Sequence, residues 1–399
     1  MIGRLLRIRS GGTPGHPTQL RRGATATFAR RFARLVGLLL VVSVATFLMT
    51  SLVPGDPAVR VLGPDASPDQ YAAVRAKLGL DEPILTRLGE WLGNAVTGDL
   101  GTSLLPPARD VRELVISRLP VTLEVTVLAM AIALLIAIPV GVLSAYREAG
   151  WADRVSSGAA FSVISVPHFL GALLLVYLLV FYADRTRSVV QFGLACLVAG
   201  ALIGAVAARV VASRRVLGVS ARACLVVASV AVVLLALAHW SWPSFPRQGF
   251  VRLTSEDGVM ASIRSAFLPA LTLGLTEGAV LSRVLRSDMI ATLNEDFILS
   301  ARAKGVSTAR LLIGHALRPS SFSMLTVAGV SLGRLIGGTF IVEAIFGIPG
   351  MGTMVVDAIV VKDFPIVQGG VLVIAASYIV INYVVDVLYV MLDPRLRRG

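Results

Sequence analysis

Charge is what this chain lacks. Only 15% of its 399 residues are Asp, Glu, Lys or Arg, against roughly 25% in a soluble domain. With 55% hydrophobic residues and a mean hydropathy of +0.79, that shortfall excludes an ordinary water-soluble fold. Lysine is scarcest. Lys77, Lys304 and Lys362 are the whole supply, and none stands in a Gly-x-x-x-x-Gly-Lys-Ser/Thr phosphate loop. The chain therefore carries no nucleotide cradle of that kind. Its four histidines and two cysteines form no His-Glu-x-x-His motif and no close Cys/His cluster, so the common zinc-enzyme patterns are absent too. Cys196 and Cys224 fall in or beside apolar runs and read as small core residues. An integral-membrane enzyme would need a catalytic constellation, and the sequence offers none.

What is present is a series of apolar runs near twenty residues long, about the length that crosses a bilayer core as a helix. Eight spans are expected, at 35–53, 120–144, 156–182, 189–208, 223–240, 267–285, 320–341 and 366–391. If the N-terminus is cytosolic, the inner segments hold 22 Lys or Arg and 6 Asp or Glu, and the outer ones 13 and 15. The opposite orientation would invert the rule that basic residues stay inside. The net charge of +13 thus reports topology and not nucleic-acid binding. Both termini are expected in the cytosol.

Residues 1–34 carry eight Arg and no acid, and read as a disordered basic tail able to touch anionic lipid. The run 35–53 reads as an uncleaved first anchor, because no small-x-small cleavage site follows it. Residues 54–119 form an external segment too long for a simple connector. Pro54-Gly55-Asp56-Pro57 stops the first helix, and amphipathic helices are expected over Pro68–Leu78 and Pro83–Ala95. This segment is either a small external cap or a docking surface. Spans two and three occupy 120–188, an extra pair of spans 189–240, the remaining membrane core 241–391, and a short cytosolic C-terminus 392–399.

The polar stretch 286–318 lies between two apolar runs and is expected to be mostly helical, with a break near Gly305. It contains Ser300, Ala301, Arg302, Ala303, Lys304 and Gly305, then Arg310, His315 and Arg318. Small residues would let a helix seat deeply in a partner's groove while the basic ones meet acids on its rim. A plain basic cytosolic loop is the other reading of that composition. The spacing Glu295-Asp296-Phe297-Ile298-Leu299-Ser300-Ala301-Arg302-Ala303-Lys304-Gly305, then Gly314-His315-Ala316-Leu317-Arg318-Pro319, resembles the "EAA" coupling loop of membrane subunits in ATP-binding-cassette importers. The version is that of the dipeptide, oligopeptide and nickel permeases. Further matches run in order through Arg118-Leu119-Pro120-Val121-Thr122-Leu123-Glu124, Leu268-Pro269-Ala270, Ile341-Val342-Glu343, Phe346-Gly347-Ile348-Pro349-Gly350-Met351-Gly352 and Asp363-Phe364-Pro365-Ile366-Val367-Gln368-Gly369. The long external segment resembles the B-type subunit.

That resemblance implies an all-helical permease subunit of a bacterial inner-membrane importer, with the family's six spans plus two. It implies a second homologous permease, two ATP-binding subunits and an extracytoplasmic substrate-binding protein as partners. ATP and magnesium would sit on the partner ATPases, with no cofactor or metal on this chain. Peptides are the expected cargo; nickel chelates or other small solutes are the alternative within the class. An ion-gradient-driven secondary transporter would instead show internal repeats and midplane carboxylates beside broken helices.

Several polar residues inside the spans are candidates for the pathway or its gate. Arg334 either binds a substrate carboxylate, pairs with Glu343 or snorkels to the outer surface. Glu277 is expected to pair with Arg283. Glu124 poses the same question near the outer end of the second span. His168 follows Pro167 at mid-span, where a kink is expected. Glu343 through Gly352 should make a short external re-entrant turn, since Pro349, Gly347 and Gly350 prevent a continuous helix.

Overall fold

The computed structural model describes residues 17–53, 56–63, 65–77, 79–191, 245–246, 249–253 and 258–392. Among these the secondary structure is helical, with one isolated antiparallel bridge between Thr102 and Asp110. Five helices are long and apolar enough to cross a membrane: Leu35–Leu52, Val111–Tyr146, Val259–Leu293, Thr308–Gly338 and Phe364–Val385. Two bent pairs raise the number to as many as seven. Six of the eight expected spans thus have helical counterparts. The runs 189–208 and 223–240, with Cys196 and Cys224, lie almost entirely outside the described residues.

We label the helices α1 (Pro17–Leu52), α2 (Pro57–Leu62), α3 (Pro68–Lys77), α4 (Ile84–Thr97), α5 (Val111–Tyr146), α6 (Trp151–Ser165) and α7 (His168–Val176, extended by a π turn). After these come α8 (Val259–Leu293), α9 (Asp296–Ala303), α10 (Leu317–Gly338), α11 (Phe340–Phe346), α12 (Met351–Val361) and α13 (Phe364–Leu392). The first helix corrects one expectation. Residues 17–34 continue the helix of the first span where a disordered tail was expected. Leu20, Ala24, Ala26 and Ala29 are compatible with helix, and the run has no proline after Pro17.

The described residues fall into two compact units. One comprises residues up to 112 together with 361–379. Here Asp56 caps α2, its carboxylate accepting from Ala58 N at 2.9 Å. Arg75 on α3 reaches Asp56 and Asp81 at 2.5 and 2.9 Å, closing the chain between α2 and α4. The carboxylates of Asp81 and Asp56 hold that guanidinium above its ordinary pKa. Phe47 of α1 meets Trp91 of α4 with ring centroids 6.1 Å apart. Buried Asp363 accepts from Ser103 Oγ at 2.5 Å and Leu104 N at 3.2 Å, and Gln368 donates to Thr50 at 2.7 Å.

The other unit comprises 113–360 and residues from 380 onward, and it holds the main hydrophobic core. Helix α8 is its axis, packed against α6, α7 and α10. Gly274 and Gly278, four apart on α8, lie on the fully buried Ala129 and Ala133 of α5. A Cβ at Gly274 would stand 2.8 Å from the Ala129 carbonyl oxygen. Helices in lipid associate through such close backbone approach, because apolar burial gives them little advantage over lipid tails. Val166 and Pro167 break α6 from α7, which diverge by 102°, so the span expected over 156–182 is a bent pair and not a kinked helix.

Candidate functional site

The polar stretch after α8 is built as helix, turn, helix. Ile298 of α9 is fully buried, as are Leu311 and Ala316 beyond it, so the stretch is anchored into the core at three points. Between these anchors the chain reverses at Gly305, whose φ is +77°. Gly305 N donates to Arg302 O at 3.0 Å and Val306 N to Ala301 O at 3.2 Å, a glycine-ended cap of α9. Ser300, Arg302, Ala303, Lys304, Gly305, Arg310, His315 and Arg318 are all exposed, and Ala301 is half-buried. Phe297 and Ile313 are exposed among them, at 51% and 65%. The surface is basic with apolar points. Its base is tied by a bidentate pair in which Arg286 Nε and Nη2 donate to Asp153 Oδ1 and Oδ2 at 2.5 and 2.8 Å. Sequence reasoning missed that pair.

A second site centres on Glu343, which is fully buried. Its Oε1 accepts from Thr122 Oγ1 at 2.7 Å and from Thr339 Oγ1 at 3.0 Å. Its Oε2 accepts from Thr353 N, in the first turn of α12, at 3.0 Å. The partial positive charge of that helix end favours a carboxylate there. Thr122 also accepts from Met351 N at 2.8 Å, so one threonine of α5 holds both arms of the bend. Helices α11 and α12 meet at 89° around Gly347-Ile348-Pro349-Gly350, in the place where a re-entrant turn was expected. A side chain at Gly350 would overlap the Glu343 carboxylate, and a Cβ at Gly352 would lie 2.6 Å from Phe340 Cα. Pro349 is half-buried and Gly350 buried. The roles of Thr122 and Thr353 were missed as well, although Thr122 stands inside a recognised motif.

Two expected pairings are corrected. Arg334 donates to Glu277 Oε1 at 2.7 Å and does not reach Glu343. Glu277 therefore does not pair with Arg283, which lies over the Phe161 ring at 4.3 Å. At about 100° per residue, a position six further along α8 faces well away from the first. Glu277 is buried, and its Oε2 has no hydrogen-bond partner. Glu124 accepts from Ser262 Oγ. His168 is exposed at the first turn of α7. No group of three or more metal-ligating side chains occurs among the described residues.

Comparison with known proteins fixes the class of this arrangement. Residues 137–398 match the family described as binding-protein-dependent transport system inner membrane component, and residues 26–126 match its N-terminal companion. The chain belongs to that family, and is a membrane component of a transport system. It is 34% identical over 373 residues to a peptide transport system permease protein of Brucella abortus (strain 2308), covering 94% of this chain and 99% of that one. It is 31% identical over 370 residues to a peptide ABC transporter permease protein of Sinorhizobium fredii, covering 92% and 98%. A glutathione transport system permease protein of Escherichia coli O6:H1 is 30% identical over 368 residues, covering 92% and 97%.

Proposed function

We propose that this chain is the permease subunit of an ATP-driven importer of peptides in the bacterial cytoplasmic membrane, with both termini in the cytosol. The observation that carries the reading is the stretch from Glu295 to Arg318. It is anchored by buried Ile298, Leu311 and Ala316, and turned outward at Gly305 with a basic, partly apolar surface. Such a surface suits a groove with an acidic rim on an ATPase. Two ATPase subunits, holding ATP and magnesium, would dock one on each of two homologous permeases, and a substrate-binding protein would deliver cargo from outside. The Brucella and Sinorhizobium relatives, named for peptide transport, support peptides as that cargo.

The coupling is mechanical. Closure of the ATPase dimer would push on α9, and its buried anchors would pass the displacement to α8 and α10. In this reading the bent pair around Glu343 is the latch that responds, and rigid-body gating would require it to adopt a second arrangement.

Co-expression with the candidate ATPase subunits tests the docking. Gly305→Asp places a negative charge on the turn, and a Cβ there meets nothing within 4 Å. Aspartate tolerates the left-handed conformation better than most residues, so the variant should fold and insert normally. Tagged wild-type protein is expected to recover the ATPases, and the variant to lose at least about tenfold of them, a change near 1.4 kcal/mol. Equal recovery from both would show that docking does not use this surface.

A further inference from the structure

Arg334 is 65% exposed at its side chain, although it lies within a helix apolar enough to span a bilayer. An arginine at the hydrocarbon midplane costs about 2.5–3.5 kcal/mol on insertion scales. That cost favours a face that meets water or protein over one that meets lipid. Beyond Arg334 that face is made of small residues. Val330, Arg334, Gly337 and Gly338 are exposed along it, and a Cβ at Gly338 would touch nothing within 4 Å. The guanidinium stands beside open space.

It is also held in place. Arg334 Nη2 donates to Glu277 Oε1 at 2.7 Å, and Glu277 is only 2% exposed, so the anchor is fixed inside the core. Glu277 Oε2 has no partner, so among the described residues this carboxylate has Arg334 as its one hydrogen-bonding contact. A guanidinium carries five N–H donors in a planar fork. With one edge gripped from behind, the free edge matches a second carboxylate.

We infer that Arg334 receives the C-terminal carboxylate of a peptide in transit, with Glu277 as its positioning residue. This rests on the peptide-importer reading above. Two carboxylates on one guanidinium leave an excess negative charge, and a zwitterionic peptide supplies its own ammonium to offset it. Because every unmodified peptide ends in a carboxylate, one arginine serves cargo of any sequence.

The test uses the complete complex in proteoliposomes with its binding protein saturated. One dipeptide is supplied as the free acid and as the C-terminal amide. Wild type is expected to carry the acid at least about tenfold faster than the amide, as loss of a charge-assisted fork implies. In Arg334→Gln the ratio falls to about one, and Arg334→Lys, with charge but no fork, lies between. Glu277→Gln lowers the ratio in the same direction, and Glu277→Asp recovers part of it. An unchanged ratio in Arg334→Gln overturns the inference. So does parallel loss of both rates with dissociation of the complex on size exclusion, the mark of an arginine paired to the companion permease. If wild type moves neither peptide, the peptide-importer reading fails and takes the inference with it.

Discussion

Glu343 shows how a single side chain can hold a bend in a membrane helix. The carboxylate is fully buried and is satisfied by two threonine hydroxyls and one backbone N–H, with no cation among these partners. Truncation in Glu343→Ala would leave those donors facing one another without an acceptor, and each costs about 1–3 kcal/mol when buried and unpaired. Gly350→Ala attacks the same point from the other side, by pushing a methyl into the carboxylate. Overpacking of that kind costs about 1–3 kcal/mol. Both variants should lower the melting temperature of the detergent-purified protein by several degrees. The double variant should be less damaging than the sum, since the methyl then enters the space the carboxylate leaves. Strict additivity would show that the two residues do not share a site.

Helices α5 and α8 meet where glycines on each let the other's backbone or side chains come close. Gly274 and Gly278 sit on Ala129 and Ala133, and Gly141 on Leu285, so the two helices approach as closely as small residues allow. Gly274→Leu would force them apart at the Ala129 carbonyl and at Ile132. The expected outcome is a poorly inserted or protease-sensitive protein. The same change at Gly338, where a Cβ meets nothing within 4 Å, should leave the fold intact. Limited proteolysis of the two variants separates them, and equal sensitivity would contradict this packing.

At this scale much was legible in the sequence. Apolar length marked the spans, Pro68 and Pro83 marked the starts of α3 and α4, and Gly305 marked the turn, whereas the short α2 was not expected. Pairings between helices were not legible. Glu277 meets a residue 57 positions away, and Glu343 one that is 221 positions away. Arg283 was expected near Glu277 because it is close in sequence, but helical phase carries it to Phe161. Asp153 and Arg286 look like separate loop charges until the fold joins them.

For the whole molecule, family membership and the absence of a phosphate loop point the same way. Uphill transport by a component with no phosphate-loop motif would draw on an energy source outside that motif. Under the proposed function, the basic, anchored surface around Gly305 would receive it, and the bend at Glu343 would respond. ATP supplied by partner subunits and an ion gradient are the two physical sources to be told apart. The decisive measurement is uptake of a labelled dipeptide into proteoliposomes holding the permease pair, the ATPases and the binding protein. Uptake should require ATP, scale with its hydrolysis, survive collapse of every ion gradient by ionophores, and be lost in Gly305→Asp. Uptake that proceeds without ATP and stops when the gradients collapse would contradict an ATP-driven permease.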